Sequence, residues 1–160
     1  MSEDRQWRAI VASALDWEQS HVRLEGAVEG LPAELLGRRP TGLPNSIWEI
    51  VEHVRRMQRD LYLFCSSDNY VAPKSGADYW PPSAAPESEA AWRHSLANIR
   101  EDRAKFAAWT VEANVDLPAK IPHGTGQTYL RTVLVAVDHT AYHVGQIVWA
   151  RRLLGAWPVP

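Results

Sequence analysis

Four segments of this chain repeat their apolar side chains every three or four residues, each over about twenty residues or more. That spacing predicts amphipathic α-helices, because 3.6 residues per turn brings such positions back to one face. The first segment runs from about Asp4 to Glu29 and carries Trp7, Ile10, Val11, Ala14, Trp17, Val22, Leu24 and Val28, with Gly30-Leu31-Pro32 as its stop. The second runs from about Ile47 to Ser66, with Ile47, Ile50, Val51, Val54, Met57, Leu61 and Phe64 on its stripe. Ser46 and Glu49 are spaced as a capping box at its start. The third runs from about Glu87 to Glu112, with Pro86 near its first turn and Arg103 as the imperfect member of its buried side. The fourth runs from about Thr128 to Leu154; Gly155 stops it and Pro158 disfavours continuation. Its Val133-Leu134-Val135 is rich in β-branched residues but lies inside the longer helical pattern. Four such helices in 160 residues predict an all-α fold, an antiparallel four-helix bundle with long connecting loops, as one domain over 1–160.

Two connections are long. The stretch 67–87 is rich in proline and aromatics, and a loop of that length in a compact domain is usually functional or disordered. Tyr70, Tyr79 and Trp80 argue for a packed loop covering a site. The stretch 31–45 carries three prolines. Seventeen basic against nineteen acidic residues, net charge −2, argue against nucleic acid as the partner. No run approaches the roughly 18 apolar residues that span a bilayer, and Met1 to Arg8 lacks a signal-peptide core. The expectation is a cytoplasmic protein with no membrane association. The one cysteine, Cys65, cannot form an internal disulfide and reads as a small buried hydrophobe rather than a nucleophile. The eight tryptophans fit a Trp-rich core, an aromatic-lined pocket, or both.

The chemistry sits in Asp138-His139-Thr140-Ala141-Tyr142-His143. His139 and His143 are four apart, so a helix advances about 6 Å between them and turns about 400°, which leaves both rings on one face. Two imidazoles so placed can converge on one metal ion. The third candidate ligand is His53, between Ile50 and Val54 near the middle of the second helix and close to its core-facing stripe. Facing helices are where bundles build metal sites, and only the fold can bring His53 to the pair.

The run from Asn45 through Val54, containing Trp48, Glu49 and His53, resembles the first metal motif of the DinB-like (YfiT-like) metal-dependent enzymes. The run from Asp138 through Ile147, containing both histidines and Gly145-Gln146, resembles their second. Arg151 through Pro158 is similar to the family's ending, so the resemblance spans essentially the whole chain. It implies a four-helix bundle, frequent homodimers, and a divalent metal held by His53, His139 and His143. It also implies one of three activities on a small-molecule substrate: thiol S-transfer, thiol-dependent isomerisation or metal-dependent hydrolysis. The alternative is a non-catalytic metal- or small-molecule-binding bundle acting as a dimeric regulatory or interaction protein.

Three neutral imidazoles leave an ion its full charge and at least one open position, the catalytic arrangement. Such an ion lowers the pKa of water or holds a thiol as thiolate. Zinc is the first expectation, with nickel, iron or manganese as alternatives and a low-molecular-weight thiol as cosubstrate. Around the ligands, Glu49 either caps its helix or bonds the far nitrogen of His53, and Glu52 is either solvated or close to the metal. Gln146, three after His143, either bonds a metal-bound water or serves helix packing. Trp48, Tyr79, Trp80 and Tyr142 are candidates to line an apolar pocket. His123, in the loop before the fourth helix, is a candidate for the site mouth. His21 is expected as a satisfied core histidine, with the cavity as the other option, and His94 as exposed. Arg55, Arg56 and Arg59 form either a solvated charged face or a receiver for an acidic cosubstrate.

Overall fold

The computed structural model describes residues 3–18 and 20–158. Among these, the regular structure is helical: α1 Glu3–Ala14, α2 Leu24–Val28, α3 Ile47–Ser66, α4 Glu89–Thr110 and α5 Tyr129–Leu153. Short 3₁₀ turns occur at Ala33–Leu35 and Gly76–Tyr79. The expected all-α bundle is thus present, built from α1, α3, α4 and α5. α3 packs on α4 and α5, while α1 packs on the other side of the same two helices.

Pairings along the helices give their directions. Trp48 meets Trp92, Glu52 meets Ser95, Arg59 meets Asp102 and Tyr62 meets Phe106, so α3 and α4 run the same way, which corrects the expected antiparallel arrangement for this pair. The long connection from 67 to 88 provides the return crossing that a parallel pair needs. His53 meets His139 and His143, so α5 runs against α3; the Cys65–Thr132 hydrogen bond nearer the other end keeps that order. Two buried clusters fill the bundle. One gathers Ile47, Val51, Val54, Ile99, Val144 and Ile147; the other gathers Leu15, Cys65, Phe106, Ile121 and Val133. No helix among the described residues is long and apolar enough to cross a membrane.

The helix ends follow local chemistry. Ser46 accepts from the Glu49 amide while the Glu49 carboxylate accepts from the Ser46 amide at 2.7 Å, which fixes the start of α3. Ser88 and Thr128 cap α4 and α5 through Ala91 and Arg131. Pro86 therefore lies outside α4, because the serine two residues later supplies the cap. Gly155 stops α5 at φ +69°, a conformation that a β-carbon disfavours.

The first segment departs from expectation: the single helix over Asp4–Glu29 is two helices with a break between them. Nine residues of continuous helix would set Asp16 and Glu25 about 13.5 Å apart along the axis. Instead one guanidinium, that of Arg103 on α4, lies 3.3 Å from Asp16 and 2.6 Å from Glu25. Folding the chain back between them lets both carboxylates reach the buried arginine. This also explains how the polar member of the α4 stripe is accommodated.

Candidate metal centre

α3 and α5 face each other where His53, His139 and His143 project. The Nε2 atoms of His139 and His53 are 3.0 Å apart, and those of His143 and His139 are 3.1 Å apart. One potential ligand atom from each residue falls within 4.8 Å of the other two. Zinc with nitrogen ligands at about 2.0–2.1 Å and tetrahedral angles sets its donors about 3.3 Å apart, so this cluster is of metal-binding size.

The outer nitrogens decide where the protons sit. Nδ1 of His53 lies 3.2 Å from the carbonyl oxygen of Tyr79, which can only accept. Nδ1 of His143 lies 2.7 Å from Oε1 of Gln146, also an acceptor. Both rings therefore carry their proton on Nδ1 and aim an Nε2 lone pair at the shared centre. Two such lone pairs close to a third imidazole repel unless a proton or a cation lies between them. The chemistry of the donor set thus fits a divalent ion.

A family model described as the DinB superfamily matches residues 16–147. The chain belongs to the DinB superfamily. No match was found among curated proteins or among solved structures.

In this DinB superfamily protein all three imidazoles are held below the ordinary histidine range. Burial is the main cause, and it takes His139 to about 4 with added repulsion from His143 and His53. Burial also lowers His53 and His143, against the pull of their acceptors Tyr79 and Gln146. The neutral, ligating form is therefore favoured. The sign of the resulting pH effect is definite for the metal-free protein. An unfolded chain protonates these rings near 6.5, whereas the folded chain resists until about 4 at His139. Unfolding takes up protons across that window, so stability falls as pH falls from about 6.5 to about 4. Urea unfolding of chelator-treated protein at pH 7 and pH 5 is expected to show a larger loss for the parent than for His139→Ala.

The long loop reaches the site as expected. Trp80 stacks on His53 with ring centroids 4.0 Å apart and planes 4° from parallel. Its neighbour Tyr79 supplies the carbonyl to His53 and sends its hydroxyl to Asp60 at 2.8 Å, where Tyr70 also donates at 2.8 Å. Burial, then the Asp60 carboxylate, raises both phenol pKa values, so the hydroxyls stay protonated. Asp60 is seven residues after His53, on the same helical face, and ties the loop over that histidine. Tyr79→Phe removes one of these bonds. It is expected to cost about 1 kcal/mol and to make Trp80 more accessible to a fluorescence quencher; unchanged quenching would show that the bond does not hold the loop.

The other candidates are distributed as follows. Tyr142 is 64% exposed and sets its ring edge-on to His143, 5.1 Å between centroids. Gln146 orients His143 rather than serving only packing. Glu49 does not reach His53, because its carboxylate is committed to the cap and to Arg39 at 2.5–2.9 Å. Glu52 is not solvated but buried, bonded by Arg55, Arg56 and Ser95. Trp48 lies five residues from His53, about 140° around the helix, and packs on Trp92 instead of the histidines. His123 binds the Phe64 carbonyl and stacks on Tyr70. Phe64 is eleven residues, about 16 Å of helix, from His53, so His123 does not line the site mouth. His21 is exposed and lines a separate cavity with Arg103, Thr140 and Ala141, not the core. His94 is exposed as expected. Arg55 and Arg56 pair with Glu52, and Arg59 pairs with Asp102, which makes them structural cations and not a free receiver. Cys65 is buried and its thiol is pushed up to about 12, so it is no nucleophile at neutral pH. Sequence reasoning missed Asp60 and the role of the Tyr79 carbonyl. The signal for Asp60 was its place one heptad from His53, opposite a loop whose two tyrosines need acceptors.

Proposed function

We propose that this protein is a metal-dependent enzyme in which His53, His139 and His143 hold a divalent ion. The observation that carries the reading is the convergence of three imidazoles, the His139 Nε2 lying 3.0 and 3.1 Å from those of His53 and His143, which both have their protons fixed on the far side. A bound zinc ion would supply Lewis acidity, favouring the ionised form of a water or thiol at an open position. The protein's own residues do the rest. Tyr79 and Gln146 fix the tautomers and raise the basicity of His53 and His143. Trp80 covers one face of His53 and limits water there. Glu49 and Glu52 are both committed to arginines, and Asp138 is exposed. That disposition favours a nucleophile ionised by the metal over one activated by a carboxylate base. A low-molecular-weight thiol in S-transfer and water in hydrolysis both meet that requirement. Zinc is the proposed ion, and nickel, iron and manganese are the alternatives.

The test is elemental analysis of the purified protein beside His139→Ala and His143→Ala. Near-stoichiometric metal is expected in the parent and none in either variant, with the helical circular dichroism spectrum retained. A parent that takes up no metal after reconstitution with zinc, nickel, iron and manganese would sink the reading. Loaded protein is then screened for thiol transfer and for ester and amide hydrolysis. The proposed homodimer is checked separately by sedimentation.

A further inference from the structure

A second feature lies one turn from the histidines along both helices. Ile50 precedes His53 by three residues and Gln146 follows His143 by three, about 4.5 Å of helix in each case. Between them and the 43–45 segment is a pocket of about 340 Å³. Its walls are mainly apolar, from Leu43, Pro44, Ile50, Tyr142 and Trp149. Volumes of this order and linings of this kind suit a small molecule.

Two side-chain amides, Asn45 and Gln146, belong to the wall, and Gln146 is the one that orients His143. Its Oε1 is committed to His143 Nδ1, so its two Nε2 protons remain for an occupant of the pocket. Tyr142 forms another wall while its ring meets the edge of His143. The pocket therefore shares two residues with the surroundings of the triad. The floor carries Gly145, where an added β-carbon would find nothing within 4 Å.

We propose that this pocket seats the apolar body of the metal centre's small-molecule substrate, with a carbonyl or ether oxygen of that substrate accepting from Gln146 Nε2; the inference rests on the metal-centre reading above. An aromatic or branched aliphatic group fits between the Tyr142 and Trp149 rings. Seated there, the same molecule lies against Gln146 and Tyr142, the two pocket residues that contact His143.

The test uses the ¹⁵N-labelled full chain, with and without zinc, titrated with acetophenone and with ethylbenzene, which lacks the oxygen. The Gly145 amide and Trp149 indole signals are expected to shift with both probes, and acetophenone to bind several-fold tighter. Gly145→Leu fills the pocket from a position with open space and with better helix propensity than glycine. It is expected to weaken acetophenone at least about tenfold while zinc uptake stays at the parent level. Equal binding to the variant would overturn the pocket, and equal binding of the two probes would overturn the role of Gln146. If the probe fails to bind and Gly145→Leu dissociates a dimer, the face belongs to a second copy of the chain and the proposal fails. Zinc uptake without probe binding overturns the pocket alone. Probe binding without zinc uptake overturns the metal reading, and the substrate role with it.

Discussion

Zinc at a hundredfold excess over its dissociation constant is expected to raise the melting temperature by about 5–10 °C, and a chelator to reverse the shift. A ligand that binds only the folded state at that excess adds about 2.7 kcal/mol, and each kcal/mol moves the midpoint of a chain this size by about 2–4 °C. His139→Ala is expected to abolish the response. His139 is the ring that touches both others, at 3.0 and 3.1 Å, so removing it leaves two nitrogens and breaks the cluster. The metal-free melting point should barely fall in this variant. The ring has no hydrogen-bond partner among the described residues outside the triad, and it is burial-penalised when charged. A parent that unfolds outright on chelation would show a structural metal, contrary to the proposal, because the two apolar clusters fill the bundle without the histidines. Differential scanning calorimetry of both proteins, with and without zinc, reads all of these outcomes.

How much was legible in the sequence divides along the range of the interaction. α3 runs from Ile47 to Ser66 as its periodicity predicts, because the Ser46–Glu49 capping box is a local device that states its own position. The histidine pair on α5 was legible for the same reason, since four residues of helix determine the geometry. The break between α1 and α2 was not legible. It depends on Arg103, which lies 78 residues beyond Glu25 and pairs with it only once the bundle is formed. Glu49 illustrates a different limit. Spacing alone places it one turn from His53 and at a cap position, and only Arg39 folding over it decides between the two uses. The Tyr79 carbonyl is a backbone atom, so no residue type could have announced that it holds His53.

Glu52→Gln is expected to cost about 2–3 kcal/mol and to lower the melting temperature by about 4–12 °C, which makes this carboxylate the strongest structural prediction next to the site. Glu52 is 5% exposed and accepts from Arg55 at 2.6 and 2.9 Å, from Arg56 at 3.3 Å and from Ser95 on α4 at 2.5 Å. Taking away its charge leaves two arginines without their counter-ion. Both are partly exposed and can regain some water, so the cost falls below the full value for a broken buried pair. Burial alone would raise the Glu52 carboxyl, but bonds from Arg55 and Ser95 and the charges of Arg55 and Arg56 together outweigh it, and the group sits below the usual range. A depressed carboxylate contributes stability above its unfolded pKa, near 4.5, that is lost as pH falls through the folded value. The gap between parent and variant should therefore be constant from pH 6 to 8 and close below about 4.5. The effect should also reach the histidines. Arg56 donates to the carbonyl of Asp78 at 3.0 Å, and the next residue, Tyr79, holds His53. Loosening Arg56 is expected to weaken zinc binding a few-fold, less than the roughly 10–100-fold typical of a direct partner of a ligand. Isothermal titration with zinc separates the two consequences: a stability loss with unchanged affinity would confine Glu52 to the α3–α4 contact and break its proposed link to His53.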